Sequence, residues 1–146
     1  AVSGHIAMRE TGAIEATGHK IITMPSADGK LTSDDVRAAL QNNAHAPHMA
    51  KPRLVYISNA TEFGTVYTKA EMQSLSATCK ENGLLFLIDG ARLGAALSAD
   101  INDLSLAELA MLSDIFWIGG TKAGALVGEF QSGPGFRHGS PRISNL

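Results

Sequence analysis

Lysine side chains are mostly found in solvent, so a lysine set among small residues at the end of an apolar run calls for a reason. The run is Asp114-Ile115-Phe116-Trp117-Ile118-Gly119-Gly120-Thr121-Lys122-Ala123-Gly124-Ala125. It has the length of a strand, stops at two glycines, and delivers Lys122 into a loop of small side chains. Glycine accepts backbone angles that other residues resist and lets a bulky group come close to the chain. In open α/β sheets ligands sit beyond the carboxyl ends of the strands. A lysine held there faces a hollow and can act as a nucleophile that forms a Schiff base with a carbonyl. The alternative reading is a solvated lysine in a glycine-rich turn.

A second group changes the balance. Asp89 stands directly after Leu84-Leu85-Phe86-Leu87-Ile88, the most hydrophobic stretch of the chain. A carboxylate at the end of a buried strand has lost much of its water and is expected to need a cationic partner. It could instead cap the small-residue helix that follows from Ala91 to about Ala99. That alternative accounts for Asp89 and leaves the lysine loop unexplained. An acid and an amine at the tips of adjacent strands suit pyridoxal phosphate, which needs a lysine for its aldehyde carbon and a carboxylate for its ring nitrogen. The carboxylate keeps the ring protonated, because an opposite charge a few ångströms away favours the ionised form of both. The ring can then take up the electrons left when a bond to the substrate Cα breaks.

The elements that would position these groups follow from periodicity and punctuation. The 146 residues are 45% hydrophobic, enough for a domain with a real core. The net charge of -2, with no basic stripe, argues against nucleic acid as a partner. No apolar run is long enough to span a bilayer, and no membrane partner is expected. Cys79 is the single cysteine, read as a small packing residue; a lone cysteine fits a reducing compartment, so a cytoplasmic location is expected. The start has neither a signal-peptide pattern nor a methionine, and the chain is expected to begin within something longer.

Residues 1–19 read as the end of a strand followed by a short helix to about Ala16, closed by Gly18. His19 to Met24 reads as a short β-rich run stopped by Pro25, and residues 26–30 as a turn. Thr32 caps a helix with Asp34 and Asp35 in its first turn and Val36, Ala39 and Leu40 on its apolar face. Residues 42–52 are irregular and carry His45 and His48, with no Cys, Asp or Glu at a matching interval, so no metal is called for. Arg53 to Ile57 is a buried strand, followed by a polar loop. Thr68 and Glu71 form a capping box for the next helix, which Gly83 ends. Asp103 or Ser105 opens another short helix, and Asp114 to Ile118 is the last clear strand. Strands separated by helices imply right-handed βαβ crossovers: an α/β fold with a mainly parallel sheet and helices on both faces. Residues 1–130 are expected to form this domain, and 131–146, rich in glycine and proline, a disordered or out-of-context tail.

Leu87-Ile88-Asp89-Gly90-Ala91-Arg92-Leu93 and Gly120-Thr121-Lys122-Ala123-Gly124-Ala125 resemble the threonine aldolase / β-eliminating lyase family. His5-Ile6 with Glu10, Gly12 and Ala13, and the loop from Asn59 to Tyr67, resemble two further segments of that family, in the same order. Each motif is weak singly; together, in register over roughly residues 4–129, they are strong. The resemblance implies a fold-type I (aspartate aminotransferase-like) large domain, of which this chain is the central part. It implies that Lys122 forms the Schiff base with the cofactor and that Asp89 pairs with the ring nitrogen. Arg92 is implied at the ring's phenolic oxygen or the substrate carboxylate, against the alternative of a helix-surface salt bridge. His5 is implied on the ring face, helping with proton transfer, against the alternative of a satisfied structural histidine. Glu10 matches a family acid without a derivable role, and His48 lies near a second family histidine close to the substrate.

The activity implied is a pyridoxal-phosphate-dependent carbon–carbon lyase, cleaving a β-hydroxy-α-amino acid into glycine and an aldehyde by a retro-aldol reaction. The alternatives are another pyridoxal-phosphate β-eliminating lyase, a transaminase, or a fragment without catalysis. Phosphate contacts made by an upstream segment of the family, and a carboxylate-binding arginine from a downstream domain, are expected outside this chain. The implied partners are a small amino-acid substrate and further copies of the full-length protein, as a dimer or tetramer.

Overall fold

The computed structural model describes residues 1–45, 47–125 and 128–132. Its centre is a four-stranded sheet in the order β1-β2-β3-β4, with β1 at Leu54–Ser58, β2 at Leu85–Asp89, β3 at Ile115–Gly119 and β4 at Glu129–Ser132. The first three strands are parallel; β4 runs antiparallel to β3. Ser58 pairs with Asp89 across β1 and β2, and Ile88 with Phe116 across β2 and β3. The carboxyl ends of the parallel strands therefore lie together at one end of the sheet.

Successive side chains on a strand point to opposite faces, and burial follows that alternation. Val55, Ile57, Phe86, Ile88 and Phe116 are buried on one face, with Ile88 at 0% exposure. Each large apolar side chain buried this way contributes about 1.5–3 kcal/mol. On the other face Tyr56, Leu87 and Trp117 are half-buried, while Leu54 and Leu85 are 40% and 49% exposed.

Helices cover the buried face. Among the described residues the five α-helices are, in chain order, α1 His5–Met8, α2 Ser33–Asn42, α3 Lys69–Glu81, α4 Leu93–Leu97 and α5 Leu106–Leu112, and all but α1 bury residues. Thr32 with Asp35, Thr68 with Glu71 and Ser105 with Glu108 each form a reciprocal capping box, which fixes where α2, α3 and α5 begin. Met72, Leu75 and Cys79 from α3 and Leu109 from α5 join the core beneath the strands. Burial pushes the Cys79 thiol up to about 11, with nearby Asp114 adding to it, so it serves as a small core side chain.

The amino-terminal region departs from expectation. Neither the expected strand end before His5 nor the one at His19 to Met24 forms among the described residues. Isolated extended segments gain little without a neighbouring strand; here Val2 N–H donates to the Met24 carbonyl at 2.9 Å and no ladder follows. The helix expected to run to Ala16 is broken into α1 and a single 3-10 turn at Glu15–Thr17. Thr11 and Gly12 take positive φ values of 49° and 76° between the two pieces, which no continuous helix permits. Gly18 does close the segment, in the left-handed conformation. Of the expected tail, Gln131 and Ser132 belong to β4; residues 133–146 lie outside the described residues. No helix among the described residues is long and apolar enough to cross a membrane.

Candidate active site

The tips of β2 and β3 are held together by backbone. Gly119 N–H donates to the Gly90 carbonyl at 2.9 Å. A Cβ at Gly90 would lie 1.7 Å from the Trp117 carbonyl oxygen, and one at Gly119 would lie 2.8 Å from Ala91 Cα. No side chain fits at either position, so the glycines are what allow the two tips to touch. Beyond Gly119 the chain turns sharply. Ala123 and Ala125 N–H both donate to the Gly120 carbonyl, at 2.9 and 3.0 Å, and Gly120 N–H donates to Gly128. This places Lys122 on a 3-10 turn, Thr121–Ala123, which ends at Gly124 with φ 89°. The lysine side chain is exposed; Leu126 and Val127 just after it lie outside the described residues.

Asp89 is the last residue of β2 and is buried, at 8% exposure. The cationic partner expected for it is not found among the described residues. Its Oδ2 accepts the Tyr56 hydroxyl at 2.5 Å, and its Oδ1 accepts Ala91 N–H at 2.9 Å. Neutral donors thus do part of what a cation would do for a desolvated carboxylate. Nor is Asp89 a helix cap: the residue at the N-cap of α4 is Arg92, and no side chain caps it. Tyr56 comes from β1, where the register sets it opposite Leu87 and on the same face as Asp89. Burial raises the Tyr56 phenol far above its ordinary value, and the hydrogen bond to Asp89 and the charges of Asp89, Glu62 and Glu10 raise it further. It is therefore a neutral donor at any working pH. Its ring lies 6.0 Å from that of Trp117, tilted by 58°, so β1 and β3 contribute an aromatic pair to the same face.

A second set of contacts begins at His5, the first residue of α1. Its backbone N–H donates to Glu62 Oε1 at 3.2 Å. The same oxygen accepts the Ser58 hydroxyl at 3.0 Å, and Ser58 is the ladder partner of Asp89. The imidazole Nδ1 lies 3.2 Å from Glu10 Oε1. Glu10 so acquires a place, as the acid that holds one ring nitrogen of His5. Arg92 is half-buried just past Ala91 and enters no ion pair among the described residues.

The structure thus brings Asp89, Arg92 and the Lys122 loop to one end of the sheet, and ties His5 to that end through Glu62 and Ser58. His48 stands apart. It is exposed in the segment leading to the amino end of β1, whereas the other groups gather at the carboxyl ends. Tyr56 and Ser58 are the residues that sequence reasoning missed. The signal available was modest: both are polar-bearing positions, two apart, in a run otherwise apolar, and so share one face of β1.

The chemistry of this donor set fits pyridoxal phosphate. Each Asp89 oxygen accepts one hydrogen bond and keeps a lone pair for a ring N–H. An amine, a guanidinium and an imidazole held by an acid stand at the same end of the sheet.

Comparison with known proteins shows what the chain is similar to. A family model described as Beta-eliminating lyase matches residues 1–131. A low specificity L-threonine aldolase of a Pseudomonas species is 41% identical over 133 residues, which are 87% of this chain and 37% of that protein. The enzyme of the same description from Pseudomonas aeruginosa is 40% identical over the same shares. Among solved structures, the threonine aldolase of Leishmania major superposes with a TM-score of 0.88 at 56% identity, over 90% of this chain and 38% of that one. The chain spans well under half the length of the relatives it matches. These neighbours have the fold-type I architecture of pyridoxal-phosphate enzymes, and the present sheet is part of such a domain.

Proposed function

The chain belongs to the beta-eliminating lyase family, and from that premise we propose that the protein is a pyridoxal-phosphate-dependent lyase of the threonine aldolase type. Its substrate is a β-hydroxy-α-amino acid, cleaved between Cα and Cβ into glycine and an aldehyde. The observation that carries the reading is the side-by-side ending of β2 and β3, which sets a buried acid and a lysine-bearing turn at one end of a parallel sheet. Bound there, pyridoxal phosphate supplies the electron sink for the broken Cα–Cβ bond.

The chain's own residues take the remaining tasks. Lys122 would hold the cofactor through its aldehyde carbon. Asp89, pinned by Tyr56 and Ala91, would offer its open lone pairs to the ring N–H and hold that proton in place. Arg92 would bind the phenolic oxygen or the substrate carboxylate with its planar, bidentate donor set. Glu10 takes the Nδ1 proton of His5 as a hydrogen bond, which leaves Nε2 as the acceptor for a proton at the substrate hydroxyl. His48, assigned to the substrate side by resemblance, has the least structural support. The complete protein works as a dimer or tetramer in the cytoplasm in this reading.

The test is direct. Mixing the protein with pyridoxal phosphate is expected to give a visible absorbance band, and borohydride should then trap the cofactor on Lys122. L-threonine or L-allo-threonine should release glycine and acetaldehyde. Absence of a band at millimolar cofactor would sink the reading; a band with amino-group transfer to a keto acid in place of glycine release would redirect it to a transaminase.

A further inference from the structure

We propose that Tyr56 is a positioning residue for the acid of this site: its phenolic O–H, donated to Asp89 Oδ2, fixes the carboxylate and draws off part of its charge, and so sets how strongly Asp89 holds a ring proton. This rests on the pyridoxal-phosphate reading above and deepens it. Nothing in the sequence motifs points to Tyr56; the register of β1 against β2 does, by placing it diagonally across from Asp89 on the same face.

The geometry leaves the carboxylate little freedom. One oxygen is held by a side chain from the neighbouring strand at 2.5 Å and the other by an amide of its own loop at 2.9 Å. Two donors on two oxygens fix the plane of the group and leave the remaining lone pairs pointing in set directions. Both hydrogen bonds are donated to the carboxylate oxygens and draw on their negative charge. Without the phenol, the carboxylate would be free to turn and Oδ2 would keep its full charge, drawing a proton shared with a ring nitrogen toward the oxygen. The ring would then carry less positive charge. Other charged or titratable groups around this end of the sheet are Glu62 after β1, Glu10 and His5 from the α1 segment, Arg92 before α4 and Lys122 after β3. None of them takes a hydrogen bond from the Tyr56 hydroxyl among the described residues.

Tyr56→Phe removes the oxygen and keeps the ring. In the cofactor-loaded protein before substrate is added, the pH midpoint of the visible band is expected to move upward. A less positive ring repels the proton on the Lys122 nitrogen less. Cofactor binding is expected to weaken by up to about tenfold, because the acceptor for the ring N–H is no longer held in one orientation. Trp117, the single tryptophan and 6.0 Å from the Tyr56 ring, reports whether the local fold is kept. An unchanged midpoint and affinity, with unchanged Trp117 emission, would overturn the proposal and leave the lyase reading standing. No band in the parent protein would overturn both.

A second measurement avoids the risk of misfolding. Replacing both tyrosines, Tyr56 and Tyr67, with a fluorinated analogue makes each phenol a stronger donor, so the midpoint should move downward. The same replacement in a Tyr67→Phe background should give the same movement. A midpoint that stays put, or moves only when Tyr67 is present, would refute the assignment.

Discussion

The two faces of one sheet do different work. On the first, Val55, Ile57, Phe86, Ile88 and Phe116 are buried at 7% exposure or less against α3 and α5. Those side chains carry no polar atom and answer only to packing. On the second, Tyr56, Asp89 and Trp117 alternate with them along the same strands and are joined by a hydrogen bond and a ring contact. Because side chains alternate with a period of two, each strand supplies stability from one set of residues and chemistry from the other, and neither set has to compromise. The strand ends break the division. There Ser58, Asp89 and Gly119 are all buried, so at the carboxyl tips packing and polar chemistry share the same atoms.

The largest effects should separate the faces. Asp89→Asn keeps the shape of the side chain and one oxygen to accept the Tyr56 hydroxyl, yet removes the charge and the second acceptor, which takes Ala91 N–H. Activity of the cofactor-loaded protein should fall by about 10²–10³-fold, the scale of losing a preorganised electrostatic contact, while thermal melting stays close to that of the parent. A melting temperature that collapses along with activity would mean that Asp89 is mainly structural and that the division fails at its most important residue. Ile88→Ala, one residue earlier and on the other face, should do the reverse. It removes a side chain at 0% exposure and should cost about 2–5 kcal/mol in chemical denaturation. Soluble protein that survives it should bind cofactor as the parent does. If cofactor affinity falls in proportion to stability, the two faces are coupled through the strand.

Much of this arrangement was legible in the sequence, and the rest was hidden for physical reasons. The helix starts were readable, because a capping box is a local pattern: Thr68 and Glu71 are three residues apart and bond each other's backbone. The three parallel strands were readable as apolar runs but displaced by one position. Each ladder begins one residue later and runs one residue further, into Ser58, Asp89 or Gly119. Polarity ends an apolar run, whereas a ladder ends where the chains diverge. Asp89 and Lys122 stood out by type and context. The contact of Asp89 with Tyr56 did not, since it depends on register between strands that are separated by α3 in the chain. β4 was missed because its partner is β3 and its four residues carry no alternation. The 3-10 turn that carries Lys122 is set by Gly120 and Gly124 backbone geometry, which composition suggests only as a generic turn.

Smaller effects sharpen the picture on the covered face. Thr68→Ala removes the hydroxyl that accepts Glu71 N–H at 3.3 Å and unmakes the cap of α3, the helix that lies over β2. A loss of about 1 kcal/mol is expected in chemical denaturation, with no change in cofactor binding. A change in binding instead would indicate that the start of α3 positions the loop from Asn59 to Tyr67, and hence Glu62 and His5.

The smallest effect concerns Glu108 in the cap of α5. The Lys69 ammonium hydrogen-bonds it at 2.5 Å and, with the Ser105 hydroxyl and amide, depresses its carboxyl to about 2. A carboxylate whose folded value lies below its unfolded one adds stability above the unfolded value. That contribution is lost as pH falls through the folded one. The window therefore runs from the ordinary glutamate range down to about 2, and the contribution is complete at neutral pH. Comparing melting temperatures of the parent and Glu108→Gln across that range should show a parent advantage that shrinks as pH falls, and shrinks at neutral pH as salt is added, because the pair is open to solvent. Asp89→Asn should leave this pH profile untouched. A profile that moves with Asp89 would show that the α5 cap and the carboxyl-end site are electrostatically linked across the sheet, and the independence of the two faces would have to be given up.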